Sequence, residues 1–296
     1  MASKRKFYIG AFFMLSLITW NIQWGLGVDG HVDLERIAAD CRRLADADIL
    51  CFQEVASGFK NLRGHDGSDQ FQALAQLFPT HQAFEGLTID WPTPGNEGQT
   101  RECFGNMILS RLPVQQVISH SLPWTAAGGE SMQRGALEIV VDYDDTPIRI
   151  VTTHLEWSSS QAREPQIAAL RALHHDACTR ALNPPQTGKG PYATKAQTDK
   201  MILCGDFNMR PNDPLLKHLQ NPFENNEIPR LVDIWTCQHG ARPHPYSMCL
   251  HDQSHEPARC LDYILASETL IPTVVNIDYD QMSKASDHQP VLVQLG

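Results

Sequence analysis

Asp206 and Asn208 stand two residues apart at the end of the apolar run 201–204, with Phe207 between them. In an extended chain residues i and i+2 share a face, so a carboxylate and an amide project together while the phenylalanine anchors the other side. Taken alone, the segment reads equally well as a turn, since Asp and Asn often follow a strand and Pro211 and Asp213 come next. The same device recurs along the chain. Run 17–19 leads into Trp20, Asn21 and Gln23, run 49–52 into Gln53 and Glu54, and run 148–153 into His154 and Glu156. Asp262 lies within run 260–266, and Ser286, Asp287 and His288 precede run 290–295. Carboxylate and amide oxygens suit a hard divalent cation, and imidazoles beside carboxylates suit proton transfer. If these strands lie side by side, their polar ends meet at one sheet rim, where such scaffolds place their chemistry.

Several elements must hold those clusters. Segment 33–46 carries Leu34, Ile37, Ala38, Cys41 and Leu44 at helical spacing with Asp33 as N-cap, which predicts a helix joining the first two strands. Segments 70–77 and 161–182 read as helices, 106–110 and 136–142 as strands, and 144–147 as the turn of a hairpin. Loops rich in Pro, Gly, Asn and His fall at 91–104, 183–200 and 236–259. Loops of that length in a compact enzyme tend to face substrate or to move. With 296 residues, 42% of them hydrophobic, the chain can bury a large core. Motifs at both ends favour a single domain over residues 14–296, with 1–13 an extension before an alternative start at Met14.

The motifs TWNIQ at 19–23, QE at 53–54, THLEW at 153–157, GDFN at 205–208, DYI at 262–264 and SDH at 286–288 occur in one order across nearly the whole chain. Together they resemble the endonuclease/exonuclease/phosphatase superfamily of deoxyribonuclease I, apurinic endonucleases, sphingomyelinases and inositol-polyphosphate phosphatases. From Arg134 and Gly135 through THLEW to Arg163 and Gln166 the chain looks most like the tyrosyl-DNA phosphodiesterase branch and its bacterial relatives. The resemblance implies an α/β fold, a four-layer sandwich of two mixed β-sheets face to face with helices on both outer sides. It also implies divalent-metal-dependent hydrolysis of a phosphodiester by in-line attack of an activated water.

Roles follow from the resemblance, residue by residue. Glu54 is the expected Mg²⁺ ligand, with Asn21 and Asp287 as helpers, and Mn²⁺ suits the same oxygen donors. Asp206 would orient and deprotonate the water, while Asn208 donates to phosphate or holds that aspartate. His288 would face the phosphoryl group with Asp262 fixing its tautomer, and His154 would be a second phosphate-contacting imidazole. Asn106 resembles a position that reaches substrate phosphate, although a backbone partner would serve it as well. Arg111 and Arg134 are candidates for bidentate phosphate contacts, although exposed arginines are usually just solvated.

Composition narrows the partners. A formal charge of -10 leaves no basic footprint for sequence-independent nucleic-acid binding, but a bound cation can supply positive charge to a phosphate-ester substrate. A nuclease or DNA-end-processing enzyme is the leading reading, a small-molecule or lipid-headgroup phosphodiesterase or phosphatase the alternative, and a catalytically silent binding domain the third. The eight cysteines contain no CxxC, and Cys51 and Cys204 sit in strand runs, which predicts reduced, buried thiols. His239, His244, His251 and His255 invite a zinc reading, but their irregular spacing across a Pro-rich loop favours solvated or packed histidines, and Trp124, Trp157 and Trp235 are expected to pack or to stack a ring. Lys4, Arg5 and Lys6 before the apolar stretch 7–20 imitate a signal peptide without its cleavage site. That stretch is too short to span a membrane, so a cytoplasmic protein with no transmembrane segment and no evident protein partner is expected.

Overall fold

The computed structural model describes residues 14–93, 101–126, 129–254 and 256–296. The extension at 1–13 and His255 therefore lie outside the described residues. In chain order the elements are β1 (Leu15–Asn21), α1 (Leu34–Leu44), β2 (Ile49–Ser57), α2 (Gln70–Leu77), β3 (Gln82–Pro92), β4 (Arg101–Ser110), β5 (Val114–Ser121), β6 (Gly135–Tyr143) and β7 (Thr146–His154). They continue with α3 (Ser160–Leu182), β8 (Met201–Asp206), α4 (Pro214–Leu219), β9 (Leu231–Asp233), α5 (Ile234–His239), β10 (Asp262–Ser267), β11 (Val274–Tyr279) and β12 (Val291–Leu295).

Two six-stranded mixed sheets result, ordered β11-β12-β1-β2-β4-β3 and β5-β6-β7-β8-β10-β9. Each has one parallel pair at its centre, β1 with β2 and β7 with β8, and antiparallel neighbours elsewhere. A parallel pair needs a crossover, which α1 supplies in the first sheet and α3 in the second. The sheets face each other, β1 and β2 against β8, and β4 against β6 and β7.

Strict alternation explains why β1 and β2 read as unbroken apolar runs. Leu15, Leu17, Ile49 and Cys51 enter the cluster between the sheets, while Ile18, Trp20, Leu50 and Phe52 pack with Ile37 of α1 and Phe71 and Leu74 of α2. On the other side Ile167 and Leu170 of α3 and Leu216 and Leu219 of α4 join the larger cluster. Helix α1 starts where its cap predicts, with the Asp33 side chain accepting from the Arg36 amide at 3.1 Å. Asp144 and Asp145 both adopt positive φ, 50° and 60°, the conformation a two-residue hairpin between β6 and β7 requires.

Two sequence expectations change, and two strands go unannounced. The loop at 91–104 is shorter, because β3 runs to Pro92 and β4 begins at Arg101, and the loop at 236–259 opens inside α5. Strands β5 and β11 carry no clear signal because they are half-exposed edge strands whose polar residues break the apolar pattern.

Gly205 shows how tightly the second sheet is built. Its φ is 132°, and a Cβ there would lie 2.0 Å from the Thr153 carbonyl oxygen of β7. Because the obstacle is backbone, Gly205→Ala is expected to destabilise the protein by about 3 kcal/mol or more, read as a lowered urea midpoint. A midpoint within error of wild type would show that β7 and β8 can separate at no cost.

Candidate active site

Strand register places three of the polar groups in one row. His154 at the end of β7 pairs with Asp206 at the end of β8, and Asp206 pairs with Asp262 at the start of β10. The first sheet brings Asn21 beside Gln53 at the matching rim, with Glu54 next in the chain. A register shift in β2 between Phe52 and Val55 turns the Glu54 side chain, and its φ of 58° is one a non-glycine residue seldom adopts. Asn208 also has a positive φ, 51°, which asparagine tolerates better than most residues.

Hydrogen bonds tie the two rims together. The Asn21 amide donates to Glu54 Oε1 at 3.0 Å and to Asp206 Oδ2 at 3.1 Å, so one side chain spans both sheets. Gln23 donates to Asp287 Oδ2 at 2.9 Å, and Ser286 Oγ donates to the Asn21 carbonyl at 2.8 Å. His288 Nδ1 lies 2.8 Å from Asp262 Oδ2, which also accepts from Ser247 Oγ at 2.7 Å. With Nδ1 engaged, the His288 Nε2 edge faces Asp206 Oδ2 at 3.7 Å. His154 sits between the rims, Nδ1 3.7 Å from Glu54 Oε1 and Nε2 3.5 Å from Asp206 Oδ2. Asp206 Oδ1 accepts from the backbone N–H of Asn208 at 2.9 Å, while the Asn208 side chain donates to the Leu155 carbonyl at 3.0 Å. The hold on Asp206 thus comes from the Asn208 backbone.

The two histidines differ in charge. Burial opposes a charged His288, yet the carboxylates of Asp262 and Asp206 outweigh it and hold its pKa well above the ordinary value. Asp262 is pushed up to about 6 by burial, which still leaves a carboxylate opposite an imidazolium at neutral pH. Burial, then the nearby charges of Arg134 and His288, hold His154 far below its usual range, so it is neutral. Glu54 is pushed up to about 7, first by burial and then by the charge of Asp287, against the Asn21 hydrogen bond.

These groups open into a cleft of about 640 Å³. Its floor carries Glu54, His154, Asp206, Asn208, Asp287 and His288, and one wall is aromatic. Trp91 and Trp157 line it while 52% and 54% exposed, and Phe59 meets Trp91 edge-on with ring centroids 6.2 Å apart. Arg134 also lines the cleft, yet it is only 4% exposed, and its Nε has no hydrogen-bond partner among the described residues.

Of the three residues considered for substrate contact, Arg134 alone is brought to the cleft with a free guanidinium edge. Asn106 borders a small recess with Glu54, Arg134 and His154, but its amide donates to the Gly135 carbonyl at 3.2 Å, tying one sheet to the other. Arg111 is corrected outright. It binds Asp48 at 2.9 Å and Asp46 at 2.7 Å, because β4 runs antiparallel to β2 and the residue after β4 meets those before β2, a strand length from Glu54. The histidine-rich loop forms no zinc site among the described residues, where His244 pairs with Asp233 at 2.7 Å and His239 packs at a tilt against the buried Trp235. All eight cysteines are free.

Several residues of the site carry no sequence signal. Ser247, Trp91, Phe59 and Arg259 come from loops and a strand end with no motif, and only the fold brings them in. Arg163 and Gln166 turn out to be braces. The Arg163 guanidinium donates to the Glu156 and Trp157 carbonyls at 2.8 and 3.1 Å, and Gln166 accepts from the Glu156 amide at 3.0 Å, fixing the loop that follows His154.

Asp206, Asp262 and His288 are the one described group of carboxylates and imidazoles compact enough to enclose an ion, with ligand atoms within 4.8 Å of one another. His288 is a poor ligand there, because an imidazolium has no lone pair to give.

Comparison with solved structures gives the same architecture. An endonuclease/exonuclease/phosphatase from Beutenbergia cavernae DSM 12333 is 24% identical, aligned over 95% of this chain and 71% of its own, with a TM-score of 0.62. D. rerio TDP2 complexed with single-strand DNA product is 19% identical over 96% of this chain and 99% of its own, TM-score 0.63. The human Nocturnin catalytic domain with bound sulfate anion is also 19% identical, over 96% and 93%, TM-score 0.59. At these identities the likeness establishes the fold alone. Comparison with curated proteins returns no match. The sequence profile of the Endonuclease/Exonuclease/phosphatase family matches residues 18–288, from β1 to His288 itself. The chain therefore belongs to the endonuclease/exonuclease/phosphatase family of phosphate-ester hydrolases.

Proposed function

We propose that the protein is a divalent-metal-dependent phosphodiesterase acting on nucleic acid, most simply at strand ends. The observation that carries this reading is Arg134, a guanidinium buried against the cleft without an ion pair among the described residues. Glu54, Glu156 and Asp206 lie near enough to favour its charge but none is hydrogen-bonded to it among the described residues, which leaves the guanidinium edge open to an anion. The imidazolium of His288 lines the same cleft. A phosphoryl group between the two meets both charges.

The carboxylates argue for a cation beside it. Burial and the charge of Asp287 push Glu54 up to about 7, the mark of a buried carboxylate crowded by another. Glu54, with Asn21 and Asp287, would hold Mg²⁺ or Mn²⁺, which when bound neutralises charge on the phosphoryl oxygens. Asp206, fixed by Asn21 and by the Asn208 backbone, is placed to orient a water and take its proton. His288, held by Asp262, offers its Nε2 edge to the phosphoryl oxygens, and His154 adds an uncharged donor between the rims.

The aromatic wall supports a nucleotide substrate, since exposed indoles stack bases of any sequence. TDP2, which shares the fold, was crystallised with a single-strand DNA product. The net charge of -10 favours the alternative, a small-molecule phosphodiester. We read residues 14–296 as one catalytic domain, because Asn21 and His288 belong to the same site. No described helix is long and apolar enough to cross a membrane. Free thiols support a reducing, cytoplasmic setting.

The test compares bis-p-nitrophenyl phosphate with single- and double-stranded oligonucleotides in Mg²⁺, Mn²⁺ or EDTA, for wild type and Glu54→Gln. Cleavage is expected to need metal and to fall at least about 100-fold in the variant. Since protons compete for Glu54, Mg²⁺ should raise the wild-type Tm progressively more from pH 6 to pH 8, and the variant should lose that trend. Full metal-dependent activity in Glu54→Gln would sink the metal assignment. Oligonucleotide cleavage insensitive to salt would count against nucleic acid and for the small diester.

A further inference from the structure

A second cavity, of about 650 Å³, lies beside the catalytic cleft, and Arg259 lines both. Its lining includes Arg210, Arg242 and Arg259 and no Asp or Glu, in a chain with 34 acidic and 24 basic residues. The catalytic cleft has the opposite balance, five carboxylates against two guanidinium groups. Arg259 is paired with Glu256, but among the described residues no ion pair involves Arg210 or Arg242. Their backbones are nonetheless fixed. The Arg210 carbonyl accepts from the Asp213 amide at 2.9 Å, and the Arg242 carbonyl accepts from the Trp235 indole at 3.1 Å. Tyr246, 52% exposed, and Pro243 supply flat surfaces beside them.

Backbone hydrogen bonds fix Arg259, the residue common to both cavities. The amides of Ser247 and Met248 both donate to the Arg259 carbonyl at 2.9 Å, and Met248 also forms a bridge with His288. Arg259 is thus held by backbone bonds between the segment that carries His288 and the cavity lined by Arg210 and Arg242.

We propose that this cavity is a second phosphate-binding subsite, which takes the continuing backbone of a single-stranded polynucleotide whose scissile phosphate lies in the catalytic cleft. The proposal rests on the nucleic-acid reading given above. Guanidinium groups fork onto phosphate oxygens, and a tyrosine face stacks a base without regard to sequence. A repeating anion with a flat ring at each unit matches both features. In a chain of negative net charge, a cavity lined by three arginines and no carboxylate favours such contact there.

The experiment measures kcat/KM for a single-stranded hexanucleotide, a dinucleotide and bis-p-nitrophenyl phosphate, with wild type, Arg210→Ala/Arg242→Ala, and Lys189→Ala/Lys195→Ala as a charge-matched control on the loop before β8. Wild type is expected to prefer the hexanucleotide to the dinucleotide by at least tenfold. The arginine variant should lose that preference, and the lysine control should keep it. The slope of log K against log salt for the hexanucleotide should become shallower by about 1.4, the value for two lost single-strand phosphate contacts. Equal preference in the arginine variant and wild type would overturn the subsite while leaving the nuclease reading intact. Hydrolysis of bis-p-nitrophenyl phosphate with no cleavage of either oligonucleotide would overturn the nuclease reading itself. Competition by polyglutamate as potent as by the hexanucleotide would overturn the subsite in favour of an acidic peptide.

Discussion

Asp206→Asn is expected to lower kcat for a phosphodiester by about 10²–10⁴-fold, the range that a positioned proton acceptor contributes. The substitution is close to isosteric, so the loss should be chemical. Asp206 sits at the junction of the two sheets, taking the Asn21 amide on one oxygen and the Asn208 backbone N–H on the other. An amide oxygen in the Oδ1 position still accepts from Asn208, but an amide nitrogen opposite Asn21 sets donor against donor. Some loss of stability, about 1–3 kcal/mol, should accompany the loss of rate. Kinetics and urea unfolding of the same preparation separate the two effects. A folded variant with kcat within tenfold of wild type would remove Asp206 as the proton acceptor.

Asp262→Asn should cost about 10²-fold or more at pH 8 and progressively less on acidification. The sign follows from the balance at His288. In wild type the carboxylates of Asp262 and Asp206 overcome burial and keep the imidazole charged well above its ordinary pKa. With Asp262 neutralised, burial is opposed by Asp206 and Asp287 alone and the pKa falls, so the charged form is lost at lower pH than in wild type and regained on acidification. The variant should lose up to tenfold in rate per pH unit on the alkaline side, where wild type is level with respect to this group. The same linkage acts on stability. A histidine with a raised folded pKa stabilises fully below its unfolded value near 6.5, and that contribution fades as pH passes the folded value. Removing Asp262 reduces it. A pH–rate profile for Asp262→Asn parallel to that of wild type would show that Asp262 holds position without setting charge.

Much of this architecture was legible because strands buried on both faces announce themselves as short apolar runs. Runs 17–19, 49–52, 148–153 and 201–204 became the parallel centres of the two sheets, and polar residues at their ends had only the rim to occupy. Asp33 capped α1 as its position required, since that interaction is local. Edge strands β5 and β11 were hidden, because an edge satisfies its outer face with solvent and needs no apolar signal. Arg111 shows the converse limit. Its type suited phosphate, but antiparallel pairing of β4 with β2 delivered it to Asp46 and Asp48 instead.

By itself, then, the sequence determined which chemistry this protein carries: the carboxylates, amides and imidazoles, their order, and the strands that end in them. Those are properties of residue type and near-neighbour spacing. Tertiary structure alone decided that Asn21 would bridge Glu54 and Asp206, that His288 would be charged and His154 neutral, that Arg134 would be buried with no ion pair among the described residues, and that Trp91 and Trp157 would line the cleft. Each of these depends on burial and on contacts between residues distant in the chain, and both exist only once the two sheets have closed on each other.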